Sequence, residues 1–353
     1  MLLFMIIMST GVLLVPGLTA EKSHQSAWIA IGFTSLFGFL CLWTVLTLGK
    51  QFPLYTLQEY ITLILGKPLG KAIGGIYIVF FLMANIITVR EFSEFVTTTA
   101  MPATSGLVFD TIIVLIGAYA ASKGIEVIAR AAQFVLPLFV FSLLFLFICL
   151  LPVSQFGRLQ PFLEGGIQPV IWGAIPPFPV YGEVIVLAIL LPHLNKPKEA
   201  KRKGAMALLS AAIFLTTGMM ITLMIYGPYL TGDLLFPFWY LSRYIEYGTY
   251  LQRIEGIISL LWAAGIFIKV AVYQYVVCYM IAKILELKKH KIVIYLMALI
   301  LIPSAAFLFS NTAELREFVA WYWPILGIIF QLGLPLILLL IALIRKNQGW
   351  TYS

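Results

Sequence analysis

The chain is 353 residues long, 61% of them hydrophobic and 11% charged, with a mean hydropathy of +1.00 and a formal net charge of +8. This composition excludes an ordinary soluble domain and fits a chain whose solvent is lipid. A segment crossing lipid must satisfy its own backbone hydrogen bonds, so helices or a closed barrel are the choices; the apolar runs at 134–151 and 292–309 lack the two-residue alternation of barrel strands, which leaves helices.

The first apolar run covers residues 1–16. It has no basic start, and Val15-Pro16-Gly17 is a poor cleavage site, so it reads as a helix and not as a secretory signal. It is short for a full span, because residues 1–8 cover roughly half the hydrocarbon thickness at about 1.5 Å each. Ser9-Thr10-Gly11 then sets small polar residues and a glycine where a simple span continues apolar. Runs follow at 27–48, 72–96, 109–121 and 131–151, then a connector at 152–173. A second set lies at 174–191, 204–226, 254–285, 292–309 and 321–344. The expected architecture is one all-α transmembrane domain over 1–353, about ten spans in two five-helix halves, 1–151 and 174–344.

The first run of the second half contains Pro176-Pro177-Phe178-Pro179-Val180-Tyr181-Gly182-Glu183. Proline removes amide donors and glycine loosens the backbone, so this stretch is not a regular helix. An interrupted helix opening each half points to an inverted-repeat transporter, because broken backbone at membrane depth must be buried or line a cavity. Residues 9–11 and 177–182 are therefore expected to face one another near the midplane as non-helical stretches. The candidate binding residues are Ser9, Thr10, Gly11, Pro177, Val180, Tyr181, Gly182 and Glu183. Free amides after Gly11 suit a carboxylate, and freed carbonyls suit an ammonium. The alternative is a pair of proline kinks that only pack.

Lys269 lies about halfway along 254–285, too far from either end to snorkel. It reads either as a fixed positive charge beside the first break, in the place of a coupling sodium, or as half of a structural ion pair. Glu183 follows Gly182 where the broken helix restarts, and could receive a substrate ammonium, shuttle a proton, cap the half-helix or pair with Lys269. Arg90 and Glu94 share a helix face near the outer end, as a solvated local pair or as an outer gate. Cys41, Cys149 and Cys278 sit in apolar runs without short spacing, and His24, His193 and His290 fall in predicted loops. No metal or cofactor site, disulfide framework, Walker motif or nucleophile elbow is read, and an enzyme is not expected.

With the first loop placed outside, sixteen of the 23 Lys and Arg residues fall on the inner side, including the cluster at 196–203 and Lys288 and Lys289. Five, Arg253 among them, fall outside and two lie within spans. Both termini are then cytoplasmic, and the positive charge reads as topology and not as nucleic-acid binding.

Several stretches carry a family resemblance: 11–16 followed by Ala27-Trp28, Pro53-Leu54-Tyr55-Thr56-Leu57-Gln58-Glu59-Tyr60, and Lys123-Gly124-Ile125-Glu126 with Arg130. Tyr181-Gly182-Glu183 running to Leu191-Pro192, Leu241-Ser242-Arg243-Tyr244-Ile245 and Arg253-Ile254-Glu255 complete the set. Ser9-Thr10-Gly11-Val12 with Pro16 resembles the first-helix signature of the amino acid, polyamine and organocation permeases. The whole ordered set is similar to the B-subunit (GerAB-type) family of spore-germination receptors. That resemblance implies a LeuT-type five-plus-five inverted repeat and a subunit of the spore inner membrane. It further implies recognition of a small nutrient such as an amino acid, A and C subunits as partners, and a part in triggering germination. The alternative is an amino-acid permease of the same superfamily, with protons as a candidate coupling ion.

Overall fold

The first span is built from two half-helices, α1 (Leu2–Gly11) and α2 (Leu14–Ser23), in a computed structural model that describes residues 1–161, 163–244, 254–287 and 291–347. Ile245, Arg253, Lys288, Lys289 and His290, all used in the sequence reading, lie outside the described residues. After α2 come α3 (Ala27–Gln51), the short α4 (Leu57–Leu65), α5 (Lys67–Thr99), α6 (Gly106–Lys123) and α7 (Ile125–Leu150). A capping box starts α4, with Thr56 and Glu59 satisfying each other's amide donors. Gly124, at φ 97°, stops α6 and turns the chain into α7, a backbone state that costs glycine little.

The second half opens with α8 (Gln168–Ala174), α9 (Phe178–Gly182), a tighter 3-10 turn at Glu183–Val186 and α10 (Leu187–Leu190). It continues with α11 (Ala200–Asp233), α12 (Pro237–Arg243), α13 (Ile254–Ile284) and α14 (Lys291–Phe307). The final span is α15 (Thr312–Glu317), α16 (Trp323–Gly327) and α17 (Leu334–Asn347), joined by wide π turns at Phe318–Tyr322 and Ile328–Gly333. Among the described residues there is no strand.

Among the described residues, seven helical stretches are long and apolar enough to cross a bilayer, and α8 to α10, taken as one span with a 50° bend, make eight. The shorter apolar helices Leu2–Gly11 and Lys291–Phe307 match the remaining expected segments. The lipid-facing side is visible on α7, where Phe134, Phe141 and Ile148, spaced seven apart, are 76%, 68% and 65% exposed. Phe139, Leu143 and Leu146 of the same helix are buried. At the centre, α13 packs against α1, α5, α6 and α7, so a residue midway along it is surrounded by protein.

Both interruptions exist, but each is displaced from its expected position. Ser9, Thr10 and Gly11 are helical, and the break is at Val12 and Leu13, where Leu13 takes φ −92° and ψ −100°. The Ser9 hydroxyl donates back to the Met5 carbonyl, a local bond that a helix accommodates, and Gly11 ends the helix without dissolving it. Residues 178–182 likewise form a helical turn, and the gap is at 175–177. Pro177 is the N-cap of α9 and Pro179 falls in its first turn, where no intrahelical amide donor is needed, so the prolines stop the preceding helix and start the next.

Candidate functional site

At the first break the Leu13 amide bonds the Thr10 carbonyl at 3.2 Å, which leaves the Ser9 carbonyl without its usual helical donor. The Trp262 indole N–H of α13 fills that role at 2.6 Å. Seven residues further along the same face of α13 stands Lys269. Its Nζ donates to Thr10 Oγ1 at 2.6 Å and to Glu183 Oε1. One helix therefore holds both broken spans, by an indole and an ammonium on α1 and by the same ammonium on the restart after α9.

Lys269, Glu183 and Thr10 are 1%, 5% and 6% exposed, so the charge pair is shut away from water. In such a setting mutual attraction offsets the desolvation of both ions only while both are present. The Glu183 Oε2 atom has no hydrogen-bond partner among the described residues.

At the second break the Pro177 carbonyl accepts from the amides of Val180 and Tyr181, at 3.1 and 3.3 Å. Gln331, in the second wide turn of the last span, donates its Nε2 to the Pro179 carbonyl at 2.9 Å. Gly182 makes that approach possible, because a Cβ there would stand 2.0 Å from Gln331 Oε1.

Between the breaks lies a narrow pocket. Of the sequence-expected residues it takes Thr10, Val180, Glu183 and Lys269. The reading missed Glu91, Thr88, Ile87 and Ala84 of α5, Val15 of α2, Pro176, and Val319 and Trp323 of the last span. The α5 set was legible in principle, since positions 84, 87, 88 and 91 repeat at helical spacing. Glu91 is 2% exposed and its Oε2 has no hydrogen-bond partner among the described residues.

The remaining expected residues do not line this pocket. A Cβ on Gly11 would stand 3.1 Å from Val180 and from Leu215, so this glycine sets the approach of α1 to α9 and α11. Tyr181 is fully buried and packs against Gly38 of α3. Arg90 and Glu94 pair at 2.5 Å with side chains 14% exposed, so the pair is not solvated. Arg90 Nη1 donates to the Ala306 carbonyl at 3.1 Å and Thr312 donates to Glu94, which ties α5 to the end of α14 and the start of α15.

Beyond the pocket, Arg316 bridges Glu21 of α2 at 2.9 Å and the Gly232 carbonyl of α11 at 2.7 Å. Beside it Lys22 stands 3.4 Å over the Trp321 ring. At the opposite end Lys283 of α13 bonds Glu59 of α4 at 2.6 Å. Val12 and Leu13 also line a second cavity of about 550 Å³, whose walls include Phe95, Phe147, Phe238 and Trp262.

A family model described as spore germination protein matches residues 1–313. Spore germination protein KB of Bacillus subtilis strain 168 is 25% identical over 351 residues, 97% of this chain and 92% of that protein. Spore germination protein XB of Bacillus anthracis is 24% identical over 292 residues, 80% of this chain and 79% of that protein. Among solved structures, that of MhsT in complex with L-phenylalanine superposes with a TM-score of 0.64, covering 97% of each chain at 15% identity. At that identity the likeness concerns the fold, which is the LeuT-type arrangement expected from sequence.

Proposed function

We propose that this chain, which belongs to the spore germination protein family, is the permease-like membrane subunit of a nutrient-germinant receptor, with an amino acid as its nutrient. The observation that carries this reading is the buried cluster of Lys269, Glu183 and Thr10, which joins the two broken spans beside a pocket with unpartnered carboxylate oxygens. A structural scaffold has no use for such a site, because ionisable groups at this depth are costly. The fold shared with MhsT, whose solved structure holds L-phenylalanine, supports a zwitterionic ligand. The start of α2 is then the place for a carboxylate, and the apolar cavity beside Val12 and Leu13 offers room for an apolar side chain. In this reading Lys269 supplies the fixed positive charge that sodium supplies in a sodium-coupled relative.

The rest of the proposal follows the family. The chain sits in the spore inner membrane with both termini cytoplasmic and assembles with A and C subunits. Its halves 1–151 and 174–344 move against each other, with 152–173 as the outer connector. Arg90 and Glu94 act at the outer gate by holding α5 to the α14–α15 turn. The competing reading is an amino-acid permease, favoured by the transporter fold. Purified protein in liposomes separates the two: saturable amino-acid binding without concentrative uptake supports the receptor, and concentrative uptake supports the permease. Absence of both, in folded protein, removes the amino-acid reading.

A further inference from the structure

The charged residues lining the pocket between the breaks are Glu91, Glu183 and Lys269. Lys269 is committed to Glu183 and to Thr10, each within hydrogen-bond distance of its ammonium. Glu91 reaches the same pocket from α5, and no salt bridge reaches it among the described residues. The cluster thus holds two carboxylates against one ammonium. A carboxylate buried to 2% exposure with a free oxygen facing a cavity is costly unless something that enters the cavity completes it.

The neighbours of Glu91 in the pocket also constrain the entering group. Ala84, Ile87 and Thr88 lie one and two turns before it on the same face of α5, and Val319 and Trp323 stand across from them. The Thr88 hydroxyl is already donated to the Ala84 carbonyl at 2.8 Å, so it offers no strong competing donor to the carboxylate. A narrow pocket with Ala84, Ile87, Val319 and Trp323 in its walls suits a compact primary ammonium better than a guanidinium, which carries a wider planar group and five donors to satisfy.

We infer that Glu91 is the residue that receives a primary ammonium of the ligand, while Glu183 is held by Lys269 and serves to position it. This rests on the proposed nutrient-binding role and adds the charge and chemical class of the group recognised. It also divides labour between the two carboxylates: Glu183 joins α13 to the α9 restart and Glu91 contacts the ligand.

The test uses the full chain, purified in nanodiscs, and three probe sets measured by calorimetry: the twenty L-amino acids, the amines left by removing their carboxylates, and the acids left by removing their amino groups. The expected result is that the best binders carry a primary ammonium and that Glu91→Gln weakens them at least tenfold. The matching deaminated acids should bind weakly and equally to both proteins, and Glu91→Asp should recover part of the loss. Tight binding of a deaminated acid, or unchanged affinity of an amino acid for a folded Glu91→Gln protein, overturns the inference. If Glu91→Gln does not fold, Glu91→Asp decides in its place: weakened binding of the amino acids with the deaminated acids unaffected supports the inference, and unchanged amino-acid affinity overturns it. A folded protein that binds no ammonium-bearing probe ends the inference; binding of a neutral nutrient such as a sugar or nucleoside in the same assay would leave the receptor reading standing.

Discussion

Lys269 and Glu183 form a contact whose two halves are worth far more together than apart. Removing the ammonium by Lys269→Met leaves Glu183 buried and unpaired, a change that costs roughly 3–5 kcal/mol in comparable buried pairs. The single variant should therefore show a lowered melting temperature in detergent as well as a lost ligand response. The double variant Lys269→Met with Glu183→Leu removes both charges and should recover most of the stability and none of the response. Additive losses in the double variant would mean that the two residues are not coupled as drawn. Lys269 was legible in the sequence because a lone lysine midway along an apolar run has nowhere to snorkel. Glu91 was legible only in part: its spacing from 84, 87 and 88 puts it on one helix face, but it sits between Arg90 and Glu94 in a charged group at the end of an apolar run, and the structure turns it inward while the other two face the α14–α15 turn.

The two interrupted helices show what sequence resolves at the scale of an element. That the first run of each half breaks was legible from Gly11 and the proline run, but the positions were shifted, because a glycine at a helix end and prolines in a first turn are compatible with helix on one side. The partners that satisfy the breaks, Trp262 and Gln331, lie 253 and 152 residues from the groups they bond, beyond any local signal. Gly182 gives a direct check. A methyl at Gly182→Ala must displace the Gln331 amide and break its bond to the Pro179 carbonyl, at a cost of about 1–3 kcal/mol for overpacking. Adding Gln331→Ala to that variant removes the clash, so the double variant should melt at or above the Gly182→Ala protein. A melting temperature that falls further would mean that Gly182 and Gln331 act independently.

At the scale of the whole molecule, α13 is the central post: it packs against α1, α5, α6 and α7, and carries Trp262 and Lys269 to the first broken span and Lys269 also to Glu183 of the second. Ties at either end, Arg316 to Glu21 and Lys283 to Glu59, close the bundle above and below the pocket. If the nutrient occupies the pocket between the breaks, Ala84 tests it most directly, since this uncharged residue lines the pocket and takes part in no ion pair described. Ala84→Leu fills the space without touching a charge. The measurement is the nutrient concentration giving half-maximal germination in spores that carry this chain at matched abundance. The expected result is a shift of at least tenfold to higher concentration for Ala84→Leu, smaller for the most compact nutrients; an unchanged dose response in spores with normal levels of the variant would contradict the account.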